Sequence, residues 1–326
     1  MPSVSAGMAI QEDRIALLVE VARLYYEHGF SQQQIAKRIG ISRPGVSRLL
    51  QQAREEGIVR IEIRDPADRG TELERALQEK YRLKKVIVVP NEGEETAVVK
   101  RRLGAAAAKY LDGLIEDGMI LGVSWGTTMQ EVVRHLPRRP VRDMTVVQLN
   151  GGISKAEYDT HASEIAQTIG EKYQAIPYLL PLPAIVDSPE LKRSILSDRN
   201  IARTLELGHR ARVAVFTVGS FGYDSVLVKA DYFSPEEVDF LLQRKAVGDI
   251  CSRILDKCGR ICWPELDART IGIELEALKD KPYAVAVAGG KEKRMAIQAA
   301  LRGGYFNILI TDEWVASEIL ASEMKD

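Results

Sequence analysis

Apolar residues recur along the first sixty positions with a helical rather than an alternating period. Between Asp13 and Tyr26 the residues Ile15, Leu18, Val19, Ala22 and Tyr26 form one stripe of a 3.6-residue repeat, which predicts a helix over 13–26. His28-Gly29 ends it, since glycine accepts the left-handed backbone of a helix C-terminus. Ser31 opens a second helix as its N-cap, with Gln34 as the reciprocal partner of a capping box, and Gly40 closes it. Ser42 caps a third helix, and Pro44 falls in its first turn, where a missing N–H costs nothing. Ile35 and Ala36 point inward from the second helix, and Val46, Leu49 and Leu50 from the third. A small residue such as Ala36 allows the close, steep crossing of a helix-turn-helix. Residues 57–64 alternate apolar and charged, which predicts a strand pair or wing closing the domain. The first ten residues lack both a basic start and a sustained apolar run, and predict a disordered start rather than a signal peptide.

A polar break from Asp65-Pro66 to Gly70 marks the expected boundary between a domain of residues 1–66 and one of residues 67–326. Residues 71–82 follow as an amphipathic helix with Leu73, Leu77 and Tyr81 on one side, a linker or a dimer contact. Beyond it, short β-branched runs (85–89, 119–123, 145–149, 213–218, 283–287 and 308–311) alternate with helical segments at 96–114, 127–136, 160–172, 189–207, 234–244, 292–302 and 313–322. Strands separated by helices predict an α/β domain of Rossmann-like form, with helices on both faces of a parallel sheet.

Composition narrows the function. An apolar content of 45% over 326 residues supports two packed domains, and no apolar run approaches the length needed to span a bilayer. We therefore expect a cytoplasmic protein with no membrane partner. Cys251, Cys258 and Cys262 follow no common zinc spacing and have no histidine nearby in sequence, so we expect reduced thiols and no metal or cofactor. The net charge of −1 excludes a polycation. Locally the balance differs: Lys37, Arg38, Arg43, Arg48 and Arg54 fall between Ser31 and Arg54 with no acidic residue among them. With Val46 and Leu49 turned inward, Arg43, Gly45, Ser47, Arg48 and Gln51 or Gln52 face outward, as on a recognition helix entering a major groove. Ser31, Gln32, Gln33, Ser42 and Pro44 complete the expected DNA contact.

Small polar residues crowd the ends of the predicted strands. Ser124-Trp125-Gly126-Thr127-Thr128 leaves one strand and enters a helix. Asn150-Gly151-Gly152 leaves the next, Thr217-Val218-Gly219-Ser220 another, and Gly289-Gly290-Lys291-Glu292-Lys293 another. In a parallel sheet such ends converge on one edge, where free N–H groups and helix dipoles favour an anion. Lys293 or Lys291 adds a full charge, and Asp249 is a candidate acceptor for sugar hydroxyls. No P-loop and no dinucleotide-binding fingerprint is present. A competing reading, a phosphosugar isomerase or aldolase with an appended interaction domain, needs a positioned base or amine. The four histidines are scattered: His28 lies in the head, His135 and His209 near helix ends, and His161 beyond the Asn150 loop. The pattern therefore predicts a DNA-binding regulator that responds to an anionic small molecule, with at least a dimer needed to span two half-sites.

The segments YYEHGFSQQQIAKRIGISRPGVSRLLQQAREEGIV, LGVSWGTTM, VVQLNGGIS, LPLPAIVD, FTVGS, AVGDICSR, RTIGIEL and VAGGKEKRMAIQAAL resemble regulators of the SorC/DeoR type, most of all the deoxyribonucleoside branch of Gram-positive bacteria, nearly end to end. The resemblance implies a winged-helix or helix-turn-helix head on a sugar-binding domain related to phosphosugar isomerases. It implies a homo-oligomer, dimer or tetramer, acting as a repressor that leaves its operator when a sugar phosphate binds. By motif, Gly126, Thr127, Thr128 and Lys293 would hold the phosphate, with Asn150, Gly152 and Asp249 nearer the sugar. The deoxyribonucleoside branch carries a lysine where this chain has Asn150, and that amine can trap the open-chain aldehyde of deoxyribose 5-phosphate as a Schiff base. An amide nitrogen is not nucleophilic, so the resemblance implies reversible binding here, or a different sugar phosphate.

Overall fold

The computed structural model describes residues 4–59, 66–91, 95–152 and 160–322, and the chain divides into two compact units, 1–65 and 66–326. In the first unit three helices, α1 (Val4–Tyr26), α2 (Gln32–Ile39) and α3 (Arg43–Glu55), close over Leu18, Val21, Leu24, Ile35, Val46 and Leu50. Helix α1 begins at Val4, so the first ten residues are not the disordered start expected of them. Its buried stripe is also rotated from the expected one. Leu18, Val21, Ala22 and Leu24 are inside, whereas Ile15 and Tyr26 are exposed. Tyr26 is the last residue of the helix and overhangs its neighbours, whereas Ile15 lies mid-helix on the side turned away from α2 and α3, which periodicity alone does not identify. The caps follow the sequence: Ser31 and Gln34 form the reciprocal capping box, Gly40 adopts φ 76°, and Ser42 Oγ accepts from the Gly45 N–H. The expected wing lies largely outside the described residues. Its described part, Gly57–Val59, is turn and bend rather than strand.

The second unit opens with α4 (Pro66–Tyr81), so most of the expected polar break is helix, started by a proline in the first turn. Leu77 is fully buried and Leu73 and Tyr81 pack on the same core. That apolar face is covered by its own unit. Glu74 and Gln78 on α4 accept hydrogen bonds from the N–H groups of Val88 and Val86, at 2.9 and 3.2 Å. Those N–H groups belong to β1 (Lys85–Val89), an edge strand, and the helix thus satisfies donors an open edge would expose.

After β1 come α5 (Thr96–Asp112), β2 (Ile120–Val123), α6 (Thr127–His135), β3 (Thr145–Gln148), α7 (Ala162–Tyr173) and β4 (Ile176–Tyr178). The expected 189–207 helix is two, α8 (Pro189–Leu196) and α9 (Arg199–Arg210), because Asp198 restarts the helix as an N-cap for Asn200 and Ile201. Then follow β5 (Val213–Phe216), β6 (Val218–Ser220), α10 (Val226–Lys229), α11 (Pro235–Gln243), β7 (Ala246–Ile250), β8 (Arg253–Asp256), α12 (Pro264–Asp267) and α13 (Leu275–Lys279). The chain ends with β9 (Tyr283–Val287), a short 3-10 turn at Lys291–Lys293, α14 (Arg294–Gly303), β10 (Ile308–Asp312) and α15 (Glu313–Ser322).

Seven strands form one parallel sheet in the order β1-β10-β9-β5-β2-β3-β4. β5 and β10 are buried along their whole length, which explains why they read as unbroken apolar runs rather than alternating ones. From β2 the chain moves outward through β3 and β4, then returns to lay β5 on the other side of β2. The order reverses there, and the carboxyl ends of β2 and β5 flank the crevice where ligands bind in open α/β sheets. A second, antiparallel sheet, β6-β7-β8, was not legible as strands. It arises because the run 213–218 is broken at Thr217, so that the chain leaves the large sheet and pairs with β7 instead.

Candidate functional site

The outward face of the head is built by local rules. With Val46, Leu50 and Ala53 buried on α3, the side chains of Arg43, Pro44, Ser47, Arg48 and Gln51 are exposed, whereas Gln52 and Gly45 are half-buried. Gln33 is exposed and Gln32 half-buried at the start of α2, and the hydroxyls of Ser31 and Ser42 serve as caps. Arg38 lies 5.6 Å over the Phe30 ring, and Gln51 Nε2 donates to Glu55 at 2.9 Å. Arg43 and Arg48 are thus presented on one helix, one near its N-terminus and the other a turn and a half along.

The second site is a cavity of about 180 Å³ in the large unit, at the reversal point of the sheet. Its base is the turn from β2 into α6. Gly126, at φ 121°, adopts a backbone that suits glycine, and its added Cβ would have only Thr217 Oγ1 within 4 Å. The requirement at Gly126 is therefore one of conformation rather than space. No side chain caps α6, so the first-turn N–H groups of Thr127 and Thr128 remain as donors beside the cavity. Ser124 is buried, and its Oγ accepts from the Thr217 N–H at 3.3 Å, tying the end of β2 to the end of β5.

Two lysines meet this helix end. Lys100, from α5, donates to Thr127 Oγ1 at 3.0 Å, and Lys293 lines the cavity from the turn before α14. Burial, followed by repulsion from Lys100, pushes the Lys293 amine down to about 8, with Glu292 and Asp249 partly opposing. Asp249 approaches from β7 across Gly219, where an added Cβ would fall 2.1 Å from Asp249 Oδ1. Burial raises the Asp249 carboxyl to about 6, against the pull of the Ser252 N–H and of Lys293.

Asn150, 1% exposed, lies just beyond β3 and lines the same cavity. Its Nδ2 donates to Ser252 Oγ at 3.1 Å, and its backbone bridges Gly272. Ser252 and Cys251 form the two-residue turn between β7 and β8 with φ of 67° and 49°, the positive values that favour Asn-Gly in such hairpins. Neither is glycine, and both line the cavity.

The structure brings Ser124, Gly126, Thr127, Thr128, Asn150, Thr217, Gly219, Asp249 and Lys293 together on this cavity. Three expected residues do not line it. Gly151 lies against the Pro183 carbonyl, where an added Cβ would come within 2.3 Å, and Gly152 lies against Ala162 and Trp125. Gly289 faces the buried Asp312. All three are glycines because neighbours crowd them. Lys291 is directed elsewhere, 5.4 Å over the Trp314 ring. Lys100, Ser225 and Ser252 were missed. Lys100 reads as one more solvated lysine on a helix, and Ser225 and Ser252 sit in short elements without periodicity.

No histidine lines the cavity. His161 Nδ1 lies 2.9 Å from Glu164, His135 Nδ1 2.7 Å from the Glu131 carbonyl, and His209 Nε2 3.3 Å from Glu274. The three cysteines are free, Cys251 and Cys262 buried and Cys258 exposed. Burial pushes the Cys251 thiol up to about 12, which leaves it a packing group rather than a nucleophile. Among the described residues no cluster of His, Cys, Asp and Glu could hold a metal, and no helix is long and apolar enough to cross a membrane.

Comparison with known proteins matches a family to each part of the chain. Residues 65–321 match the family described as "Putative sugar-binding domain", and residues 21–69 match the MarR family. The chain is 42% identical to the deoxyribonucleoside regulator of Bacillus subtilis, over 95% of this chain and 99% of that protein. It is 33% identical to the sorbitol operon regulator of Klebsiella pneumoniae, over 94% and 98%. The crystal structure of the full-length sorbitol operon regulator SorC from Klebsiella pneumoniae superposes with a TM-score of 0.71 at 31% identity, covering 94% of this chain and 98% of that one. These relatives are transcriptional regulators rather than enzymes. A helix-turn-helix head, a sugar-binding domain and similarity along almost the whole length establish that the chain belongs to the SorC/DeoR-type family of sugar-responsive transcriptional regulators.

Proposed function

We propose that this regulator is a repressor of a sugar or deoxyribonucleoside catabolic operon, released from operator DNA by a phosphorylated sugar bound in the cavity at the sheet reversal. The observation that carries this reading is the uncapped N-terminus of α6 with Lys100 and Lys293 beside it. Backbone donors, a helix dipole and two amines on one side of a small cavity suit a phosphate dianion. The side chains of Asn150, Ser252 and Asp249, which line the same cavity, suit sugar hydroxyls. Similarity to a deoxyribonucleoside regulator makes pentose 5-phosphates such as deoxyribose 5-phosphate the first class to test. With an amide rather than an amine at position 150, that residue forms no Schiff base and the effector binds reversibly. The head contacts the operator through Arg43, Ser47 and Arg48 at the start of α3, with Ser31, Gln32, Gln33, Ser42, Pro44 and Gly45 around them. A homo-oligomer, dimer or tetramer, places two such helices on successive half-sites.

The test is fluorescence anisotropy of labelled DNA from upstream of the gene's own operon, titrated with protein and then with a panel of sugar phosphates. Saturable binding reversed by one sugar phosphate, and not by the corresponding free sugar, is expected. Binding that no sugar phosphate disturbs would overturn the effector assignment.

A further inference from the structure

Most buried polar atoms in a folded protein have hydrogen-bond partners, so an orphan needs a reason. Among the described residues four buried side-chain polar atoms have none, and two of these residues, Asn150 with its Oδ1 and Ser225 with its Oγ, line the effector cavity. The chain holds the Asn150 amide with some care. Its nitrogen is engaged by Ser252 Oγ, whose own backbone N–H donates to Asp249 Oδ2 at 3.1 Å. On the other side, the Gly151 N–H donates to the Ile271 carbonyl and the Ile273 N–H to the Leu149 carbonyl, at 3.1 and 2.7 Å. Gly272, between them, touches Asn150 closely enough that an added Cβ would lie 2.6 Å from the Asn150 Cβ. Arg253, 1% exposed, secures that segment by donating to the Ile273 and Gly272 carbonyls at 2.8 and 3.0 Å. The asparagine is therefore fixed from both flanks, and its oxygen is left as an acceptor without a donor.

We propose that Asn150 Oδ1 is a specificity group that accepts a hydrogen bond from a hydroxyl of the sugar, so that the pocket selects sugar phosphates bearing that hydroxyl over their deoxy counterparts. The inference rests on the sugar-phosphate reading of the cavity. A ligand with hydrogen in place of the hydroxyl would bury the amide oxygen without a partner, which is the stronger form of discrimination open to a binding site. An apolar pocket cannot reject a missing hydroxyl in this way. The effector named by this geometry is a hydroxylated aldose or ketose phosphate rather than a sugar deoxygenated at the carbon facing Asn150.

The experiment is calorimetric titration of the full chain with inorganic phosphate and with hydroxy and deoxy pairs: ribose 5-phosphate and 2-deoxyribose 5-phosphate, and glucose 6-phosphate and 2-deoxyglucose 6-phosphate. The hydroxylated member of whichever pair binds should be preferred on the order of 10- to 100-fold. That ratio should fall to within about threefold in Asn150→Leu and persist in Asn150→Asp, which retains an acceptor. Equal binding of both members by the unaltered protein would overturn the proposal, as would equal weakening of both in Asn150→Leu, which would make the residue structural. Loss of the preference in Asn150→Asp would place the amide nitrogen toward the ligand and overturn it too. If inorganic phosphate binds and no sugar phosphate does, the hydroxyl reader fails and the anion site stands. If inorganic phosphate also fails to bind, the sugar-phosphate reading fails with it.

Discussion

The two functional regions of this chain are built in opposite ways. The surface we propose to face DNA comes from one continuous stretch, Ser31–Gln52, in which caps, a glycine and a proline define two helices and leave the arginines exposed. The cavity draws on segments from Lys100 to Lys293, and the ionisable groups there are shifted by burial: Asp249 upward to about 6 and Lys293 downward to about 8. A surface that meets a polyanion needs charges in water, where they cost little to hold and release counterions on binding. A pocket that meets one small anion needs fewer charges in a drier place, where each is costly until the ligand arrives. The difference means that mutations in the first region should change affinity through salt-dependent contacts, and in the second through protonation.

Substituting Arg48 by alanine should have the largest effect, weakening operator binding on the order of 100-fold and lowering the log–log salt slope by about one if the guanidinium grips phosphate. Since Arg48 is exposed, the melting temperature should stay unchanged, and anisotropy over a salt series with a parallel melt checks both. Unaltered operator affinity would remove α3 from the interface. In Lys293→Ala the operator affinity without effector should remain, whereas the sugar phosphate concentration needed for release should rise about 30-fold. An unchanged release curve would move the phosphate away from Lys293.

The effect of pH is smaller and has a definite sign. Effector affinity should fall by up to about tenfold per pH unit above about 8, where Lys293 loses its proton in the empty cavity. Stability of the empty protein should move the other way. Between about 8 and the ordinary value of 10.5 the folded state has already released the proton that the unfolded chain still binds, so this group makes unfolding harder as pH rises. Comparing unfolding curves of the natural protein and Lys293→Met across that range isolates the contribution. The smallest effect expected is at the caps. Ser31→Ala and Ser42→Ala should each cost about 1 kcal/mol in urea unfolding of the head, with effector binding untouched. A larger loss would mean that the two hydroxyls do more than cap.

How far each region could be read ahead follows from the same contrast. Ser31, Gln34, Gly40, Ser42 and Pro44 act within four residues of themselves, and their capping geometry was legible from spacing. In the large unit, strand ends rich in glycine, serine and threonine pointed to the edge of the sheet where the cavity lies. They did not separate Gly126, whose positive φ opens the cavity floor, from Gly151, Gly152 and Gly289, which are small because Pro183, Ala162 and Asp312 crowd them. The second sheet was hidden because β6 has only three residues, β7 carries Gly248 and Asp249 within its run, and nothing in residues 213–218 marks Thr217 as the point of departure.

The order of apolar runs, the caps and the local charge excess therefore determined the two-unit organisation, the helix-turn-helix and the parallel α/β class, since these depend on residues close in the chain. Only the tertiary structure decided which polar groups share the cavity. Lys100 from α5, Ser225 before α10 and Ser252 in the β7–β8 turn share one cavity with Asn150 although they lie far apart in the chain, because the fold brings the ends of both sheets to it. Desolvation acts through space on whatever the fold encloses, and so the shifts at Asp249 and Lys293, and the orphaned oxygen of Asn150, exist only once those distant segments have packed.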